Sequence, residues 1–465
     1  MKEVIAVFDI GKTNKKVLLF DETLQLVLQE EQKFEEIMDE DGCSCDDIVK
    51  IEKWMFETVR RITNERFYQI KAINFSTYGA SLVYIDDKGL RLGPVYNYLK
   101  PMPEDVLVNF YEQYGGVEEF SRNTASPALG MLNSGLQILW LKRKKTSVFE
   151  QFKTILHFPQ YLSFCFTGKY ASEYTSIGCH TAMWDFDKKK YHPWLEKENI
   201  FLPTPVSNSM TFPYELENQS ITVGIGIHDS SASLAPYLAA SNEKFILIST
   251  GTWCIFMNPF NNEPLTAEQL KKDALCYMSV HERQVKSSRL FLGHIHEVNV
   301  KRLTDHFKIS DCAYKEVKVN EELLRQLLSP KKHKSVFFEN GVPAGYTNES
   351  IDLTQFKSFD IAYHQLMIDL TFLAVEALNL IVPEEDETEV LYISGGFARN
   401  ELFIQLLATA FPKKKVYTSE VDNATALGAA LVIHSATYEK AIQNINLGLK
   451  ECFPYKIKGF PVYVP

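Results

Sequence analysis

Val4-Ile5-Ala6-Val7-Phe8-Asp9-Ile10-Gly11-Lys12-Thr13-Asn14-Lys15-Lys16-Val17-Leu18-Leu19-Phe20 is an apolar run, a polar turn and a second apolar run. That pattern predicts two strands joined by a tight turn, a β-hairpin. Gly11 lets the backbone turn sharply and approach an anion. Successive N–H groups there, with the side chains of Thr13 and Asn14, could cradle phosphate oxygens. Asp9, at the end of a buried strand, is placed to hold a Mg2+ ion through water. The alternative is an ordinary hairpin turn, because Asp, Gly and Asn populate turns anyway.

The same design returns about 240 residues later. Phe245–Ser249 reads as a buried strand, Thr250-Gly251-Thr252 as a turn and Trp253–Phe256 as a second strand. A third unit, Val390–Ser394, Gly395-Gly396 and a helical pattern over 400–411, places two glycines between strand and helix. There the backbone could lie flat against a nucleoside, with the helix N-terminus facing negative charge. Two strand–turn–strand units so far apart predict duplicated α/β domains, with a hinge near 235–242. No short repeat or low-complexity tract interrupts them.

Outward from these units, the spacing predicts helices over 48–67, 132–142 and 155–166, and a strand over 70–76. A second hairpin is expected from Ser81–Ile85 and the turn Asp86–Gly89. The 465 residues suit two domains, and 45% hydrophobic with 23% charged residues is a globular composition. A net charge of -10, from 49 basic and 59 acidic residues, argues against a nucleic-acid partner. The acidic runs 35–41 and 384–387 read as solvated surface. No signal peptide or membrane span is expected, which places the chain in the cytoplasm with reduced thiols.

Metal motifs are weak. Cys43 and Cys45 lack a second pair, and His294 and His296, one face of a strand if Gly293–Glu297 is extended, lack a third ligand. Gly224-x-Gly226-x-x-Asp229 lacks the last glycine of a dinucleotide fingerprint. Trp140 and Trp253 are expected in the core or on a domain face.

In this order the three units make the chain resemble the FGGY carbohydrate kinases, within the wider superfamily of actin and the heat-shock ATPases. Residues 9–16 look like the family's first phosphate motif, 249–253 like its second and 394–400 like its adenosine motif. Residues 133–142 are similar to its signature helix. Residues 162–170, with Phe166-Thr167-Gly168-Lys169, are similar to its Leu-Thr-Gly-Lys segment, and 421–431 to its C-terminal helix. The resemblance implies two α/β domains of the ribonuclease H-like (actin-like ATPase) type, each a mixed sheet flanked by helices, around a cleft. Residues 1–237 would hold mainly the sugar and 238–465 mainly the ATP.

It further implies transfer of the γ-phosphoryl group of Mg-ATP to a sugar hydroxyl. Asp229 would be the catalytic base, since a sugar hydroxyl must lose its proton as the phosphoryl group arrives. A helix N-cap is the structural role compatible with it. Asp9 would anchor Mg2+. Gly11, Thr13, Asn14, Thr250, Gly251 and Thr252 would hold phosphates, and Lys12 or Lys16 would supply positive charge. Gly395, Gly396 and Asn400 would lie near the nucleoside. Tyr78, Gly79, Asn97, Tyr98 and His228, with Asp229, would bind the substrate; for Tyr78, Asn97 and Tyr98 packing is the alternative. The stretch 94–101 has neither carboxylate nor arginine, and Gln137 stands where rhamnulokinases carry glutamine. Both suit a 6-deoxyketose such as L-rhamnulose or L-fuculose. A polyol kinase, a plain ATPase and a nucleotide-binding regulator are the competing functions, and a homodimer is left open.

Overall fold

The computed structural model describes residues 1–455 apart from 218, 329–334, 422, 441, 443 and 444. One position of the expected C-terminal helix motif, 422, therefore lies outside the described residues.

The first apolar run forms β1 (Lys2–Ile10) and the second β2 (Lys15–Asp21), antiparallel with Asp9 opposite Lys16. The hairpin continues to an edge strand, β3 (Leu26–Gln32), whose polar end suits an edge. On its other side β1 pairs in parallel with β4 (Tyr68–Thr77). β5 (Thr211–Leu216), β6 (Gln219–Gly224) and the short β7 (Ile227–His228) complete a seven-stranded sheet, ordered β5-β6-β4-β1-β2-β3 with β7 on β4.

Residues Val4–Phe8 are buried on both sides of this sheet because alternate side chains meet different helices. Val4, Ala6 and Phe8 pack with Ile51, Met55 and Val59 of α1 (Ile48–Glu65). These apolar positions recur at helical spacing. Asp47 caps the first turn by accepting the Lys50 N–H, and Arg66, in the left-handed region, ends the last. The expected helix over 155–166 divides in two. Thr154–His157 is a strand pairing with Leu82–Ile85, and only then does α3 (Phe158–Thr167) begin, after α2 (Ser134–Lys144). His157 is extended and Pro159 sits in the first helical turn, where proline is well accommodated.

The second half repeats the topology. β8 (Phe245–Thr250) and β9 (Cys254–Asn258) form the hairpin, with β10 (Ala274–Met278) and β11 (Gln284–Leu290) beyond it. β12 (Val390–Gly395) and β13 (Lys415–Thr418) run parallel to β8, and β14 (Lys450–Cys452) closes the far edge. The cores β3-β2-β1-β4-β6 and β11-β9-β8-β12-β13 share one order and one sequence of parallel and antiparallel pairs. The duplicated α/β architecture expected from the sequence is therefore present.

Two helices cross between the sheets. α4 (Asp229–Ala240) follows the first sheet but packs Leu234 and Tyr237 on Phe245 and Leu247 of the second. Behind α5 (Leu292–Phe307), α6 (Phe359–Asn379) and α7 (Glu401–Ala410), which cover the other face, comes α8 (Ala424–Tyr438). It returns to the first sheet, packing Ala429 and Ile433 on Ile5 and Val7. There Asn74 Nδ2 donates to Ala429 O at 2.7 Å. The two helices touch so closely that a Cβ on Gly428 would lie 1.9 Å from Ala232 O. The division at 237/238 falls inside α4.

Two further readings change. Gly293–Glu297 lies in α5, not in a strand, so His294 and His296 point to different neighbours. The acidic runs are not simply solvated: Asp39 is buried against Lys100, and Asp386 against Lys414. α6 is long and apolar enough to cross a membrane, and it lies largely buried in the second core.

Candidate active site

Asp9 ends β1, where the sheet gives way to the turn 11–14, and Gly11 N–H closes that turn on Asn14 O at 3.0 Å. Across the site, Asp229 opens α4. The expected N-cap role belongs instead to His228; Asp229 is the first helical residue, and its Oδ1 accepts the Ser230 N–H at 2.5 Å. The two carboxyls come from strand ends 220 residues apart in the chain. Burial and the charge of Asp229 push the Asp9 carboxyl up to about 7, while Lys16, its strand partner, pulls the other way.

His228 holds Asp229. Its Nε2 lies 3.1 Å from Asp229 Oδ1 and 3.0 Å from Cys179 Sγ. Burial, then the Asp229 charge, keeps Cys179 a thiol. A Cβ on Gly79 would come within 2.8 Å of Cys179 Sγ and 3.2 Å of the His228 ring, so only glycine fits beside this pair. Ala80 and His180, with φ of 60° and 38°, hold left-handed backbone on either side. Cys179 and His180 were not anticipated; Cys-His before a turn has no spacing that marks it, and its meaning is the contact with His228.

The expected sugar residues divide. Tyr98 lies edge-on to Tyr78, 5.9 Å between ring centroids, and feels the charges of Lys12 and Asp229. Tyr78 is buried, and its Oη donates to Asp46 Oδ2 at 2.5 Å. Asn97 is occupied elsewhere, donating from Nδ2 to Ser44 O and accepting the Leu99 N–H. Gln137 donates to Ala80 O and Met131 O, supporting the loop behind the site. The charge absent from 94–101 arrives from 36–46: Lys12 pairs with Glu36 at 2.5 Å, and buried Lys15 with Asp46 at 2.6 Å. Sequence separation hid this cluster. With Lys12 engaged by Glu36, Lys16 is the lysine whose charge reaches Asp9.

In the second half, Gly251, Thr252 and Trp253 are exposed at the hairpin turn. Trp253, 44% exposed and stacked 4.4 Å from Phe291, is not a core residue, whereas Trp140 is. The Thr250 hydroxyl donates to Ser394 O and accepts the Phe397 N–H, so its bonding capacity serves the turn and not a phosphate. Gly395, at φ 85°, lies so near Thr250 that a Cβ would be 1.8 Å from Thr250 O. Gly251 and Gly396 line a cavity of about 580 Å3 with His296, Tyr314, Phe397 and Asn400. Asn400 caps α7 and bonds Tyr363, so it shapes the cavity wall with both ends of its amide engaged. Thr13 is exposed at the first turn, and Asn14 Oδ1 is buried without a hydrogen-bond partner among the described residues.

The first half thus brings the Asp9 carboxyl within reach of the Asp229 charge, and in the second half Gly251 of the hairpin turn lines the aromatic cavity. Known proteins share this fold. A carbohydrate kinase from Novosphingobium aromaticivorans has the same fold (TM-score 0.80, 23% identity, covering 97% of this chain and 94% of that one). So has a xylulose kinase from Lactobacillus acidophilus (TM-score 0.75, 18% identity, 97% and 94%). In sequence, a rhamnulokinase from Oceanobacillus iheyensis is 22% identical over 462 residues, 93% of each chain. The family model described as the N-terminal domain of the FGGY family of carbohydrate kinases matches residues 4–204. The model described as carbohydrate kinase FGGY, C-terminal domain, matches residues 242–441. Between them they account for most of the chain, which belongs to the FGGY family of carbohydrate kinases, phosphotransferases that use ATP and act on sugar hydroxyls.

Proposed function

We propose that this kinase phosphorylates a ketose, specifically a 6-deoxyketose of the L-rhamnulose or L-fuculose kind, in the cytoplasm and with Mg2+. Residues 1–237 hold mainly the sugar, together with the first phosphate turn, and 238–465 mainly the nucleotide. The observation that carries the chemistry is the opposition of Asp9 and Asp229, the charge of Asp229 reaching the buried Asp9 carboxyl. The substrate class is supported by the aromatic pair Tyr78 and Tyr98, by the internal pairing of the nearby charges and by likeness to rhamnulokinases.

Asp229 takes the proton of the attacking hydroxyl. The hydroxyl oxygen forms a bond to the γ-phosphorus as the bond to the bridging oxygen breaks, and ADP departs. His228 holds the Asp229 carboxylate in place through Nε2. The turns 11–14 and 250–252 bind phosphate through backbone N–H groups, and Lys16 adds positive charge. Asp9 fits a hard divalent cation: its carboxyl offers oxygen donors with Asp229 nearby, and one or two carboxylates with phosphate and water make an ordinary Mg2+ shell. Such an ion neutralises charge on the transferring group. Closure of the cleft excludes water and so protects ATP from hydrolysis.

The test is ADP release from Mg-ATP with a panel of ketoses, 6-deoxyketoses and polyols. Turnover with one 6-deoxyketose, reduced about 10³-fold or more in Asp229→Asn, is the expected result. Faster turnover of a simple ketose or polyol would overturn the substrate class. No rise above the sugar-free rate with any acceptor would overturn the base assignment along with it.

A further inference from the structure

The nucleotide cavity contains a polar relay with one end unused. Asn400 Oδ1 accepts the Phe403 N–H at 3.1 Å, which leaves its Nδ2, a donor only, 2.8 Å from Tyr363 Oη. Tyr363 Oη accepts there, and among the described residues the acceptor within reach of its own proton is His296 Nε2, 3.1 Å away. Nε2 is therefore the acceptor, and a neutral imidazole then carries its proton on Nδ1. Burial keeps His296 neutral by pushing it down to about 4. Among the described residues no hydrogen bond to Nδ1 occurs.

His296 stands edge-on to Tyr314 and Phe397, with centroids 5.0 and 5.3 Å away, and all three line the 580 Å3 cavity. Gly396 lines it too, and a Cβ there would meet no atom of the described residues within 4 Å. Protein packing does not require that glycine, so a bare backbone at this point suits a ligand. Aromatic walls, a bare glycine and one donor with its proton fixed in advance make a site for a flat ring bearing an acceptor nitrogen.

We propose that His296 is a specificity-determining residue, donating from Nδ1–H to a ring nitrogen of the purine of the phosphate donor. This rests on the phosphotransfer reading above, because Gly251 joins the cavity to the phosphate turn. Asn400 and Tyr363 act as positioning residues that select the tautomer.

Calorimetric binding of ADP and of 1-deaza-, 3-deaza- and 7-deaza-ADP to the full chain tests it, in wild type and in His296→Phe. One analogue should bind wild type about five- to tenfold more weakly than ADP, the worth of one neutral hydrogen bond. That difference should vanish in His296→Phe. The inference fails if all three analogues bind wild type within twofold of ADP, or if the penalty persists in the variant. A second measurement needs no variant: in wild type labelled with 15N-histidine, His296 should show the Nδ1–H tautomer, with a signal shifted by ADP and not by the analogue that binds weakly. The opposite tautomer would overturn the relay. ADP binding without sugar-stimulated ADP release would sink the phosphotransfer reading and leave His296 standing.

Discussion

His228 has to satisfy two groups at one nitrogen. Its Nε2 is within hydrogen-bonding distance of both the Asp229 carboxylate and the Cys179 sulfur, and its Nδ1 lies 3.4 Å from Ser231 Oγ, which donates to Met278 O. Burial keeps the ring neutral, and with its one proton on Nε2 facing Asp229, Nδ1 gains no hydrogen from Ser231, whose hydroxyl proton goes to Met278 O. His228→Phe keeps a ring against Tyr277 but removes the bond to Asp229. We expect kcat to fall about 10- to 100-fold, as for a displaced catalytic group, with the KM for ATP little changed. Equal loss in ADP affinity would show that the ring is structural. Legibility from sequence was uneven here. Asp9 and Asp229 sit beside glycine-rich patterns that mark them, whereas Lys16 could be separated from Lys12 only by seeing Glu36 engage Lys12. Asn97 and Thr250 have the right chemistry for ligands, but their hydrogen bonds are spent inside the protein.

At the scale of elements, the crossing of α4 and α8 ties the halves together. Small residues at the contact let the backbones approach, and Gly428 fits only because it has no Cβ. Gly428→Ala must separate the helices. The expected cost is on the order of 1–3 kcal/mol, the usual range for overpacking, read as a lower urea midpoint at unchanged slope. An unchanged midpoint would mean that the helices slide apart freely. Strand–turn–strand units were legible because a period of two and a polar turn are local signals. The strand at Thr154–His157 was not, because Ile155 and Leu156 also fit a helix and only pairing with Leu82–Ile85 decides the matter. The strand expected at His294 failed for the related reason that five residues cannot distinguish the two periods.

Across the whole molecule, buried histidines govern the response to acid. Burial lowers His157, His192 and His296 to about 4 and His180 to about 3. Such groups lose stability as pH falls from the unfolded value near 6.5 towards the folded ones. Asp9, raised to about 7, and Asp369, raised to about 6, act oppositely, since their contribution is lost as pH rises through those values. At pH 5 the four lowered histidines outnumber the two raised carboxyls, so unfolding takes up protons and stability falls as pH falls. Urea unfolding without Mg2+ should therefore show stability falling from pH 6.5 to 4.5. A flat or rising profile would contradict neutral buried histidines.

The sequence by itself determined the duplicated hairpins, the order of their glycine-containing turns, and the two aspartates beside them, because each is written in a few adjacent residues. Tertiary structure alone decided which half each crossing helix covers, which lysine faces Asp9, what holds Asp229 and which proton His296 carries. Those depend on contacts between residues tens to hundreds of positions apart. Hydrogen-bond capacity is finite, so a side chain's availability is known only when all its partners are in place.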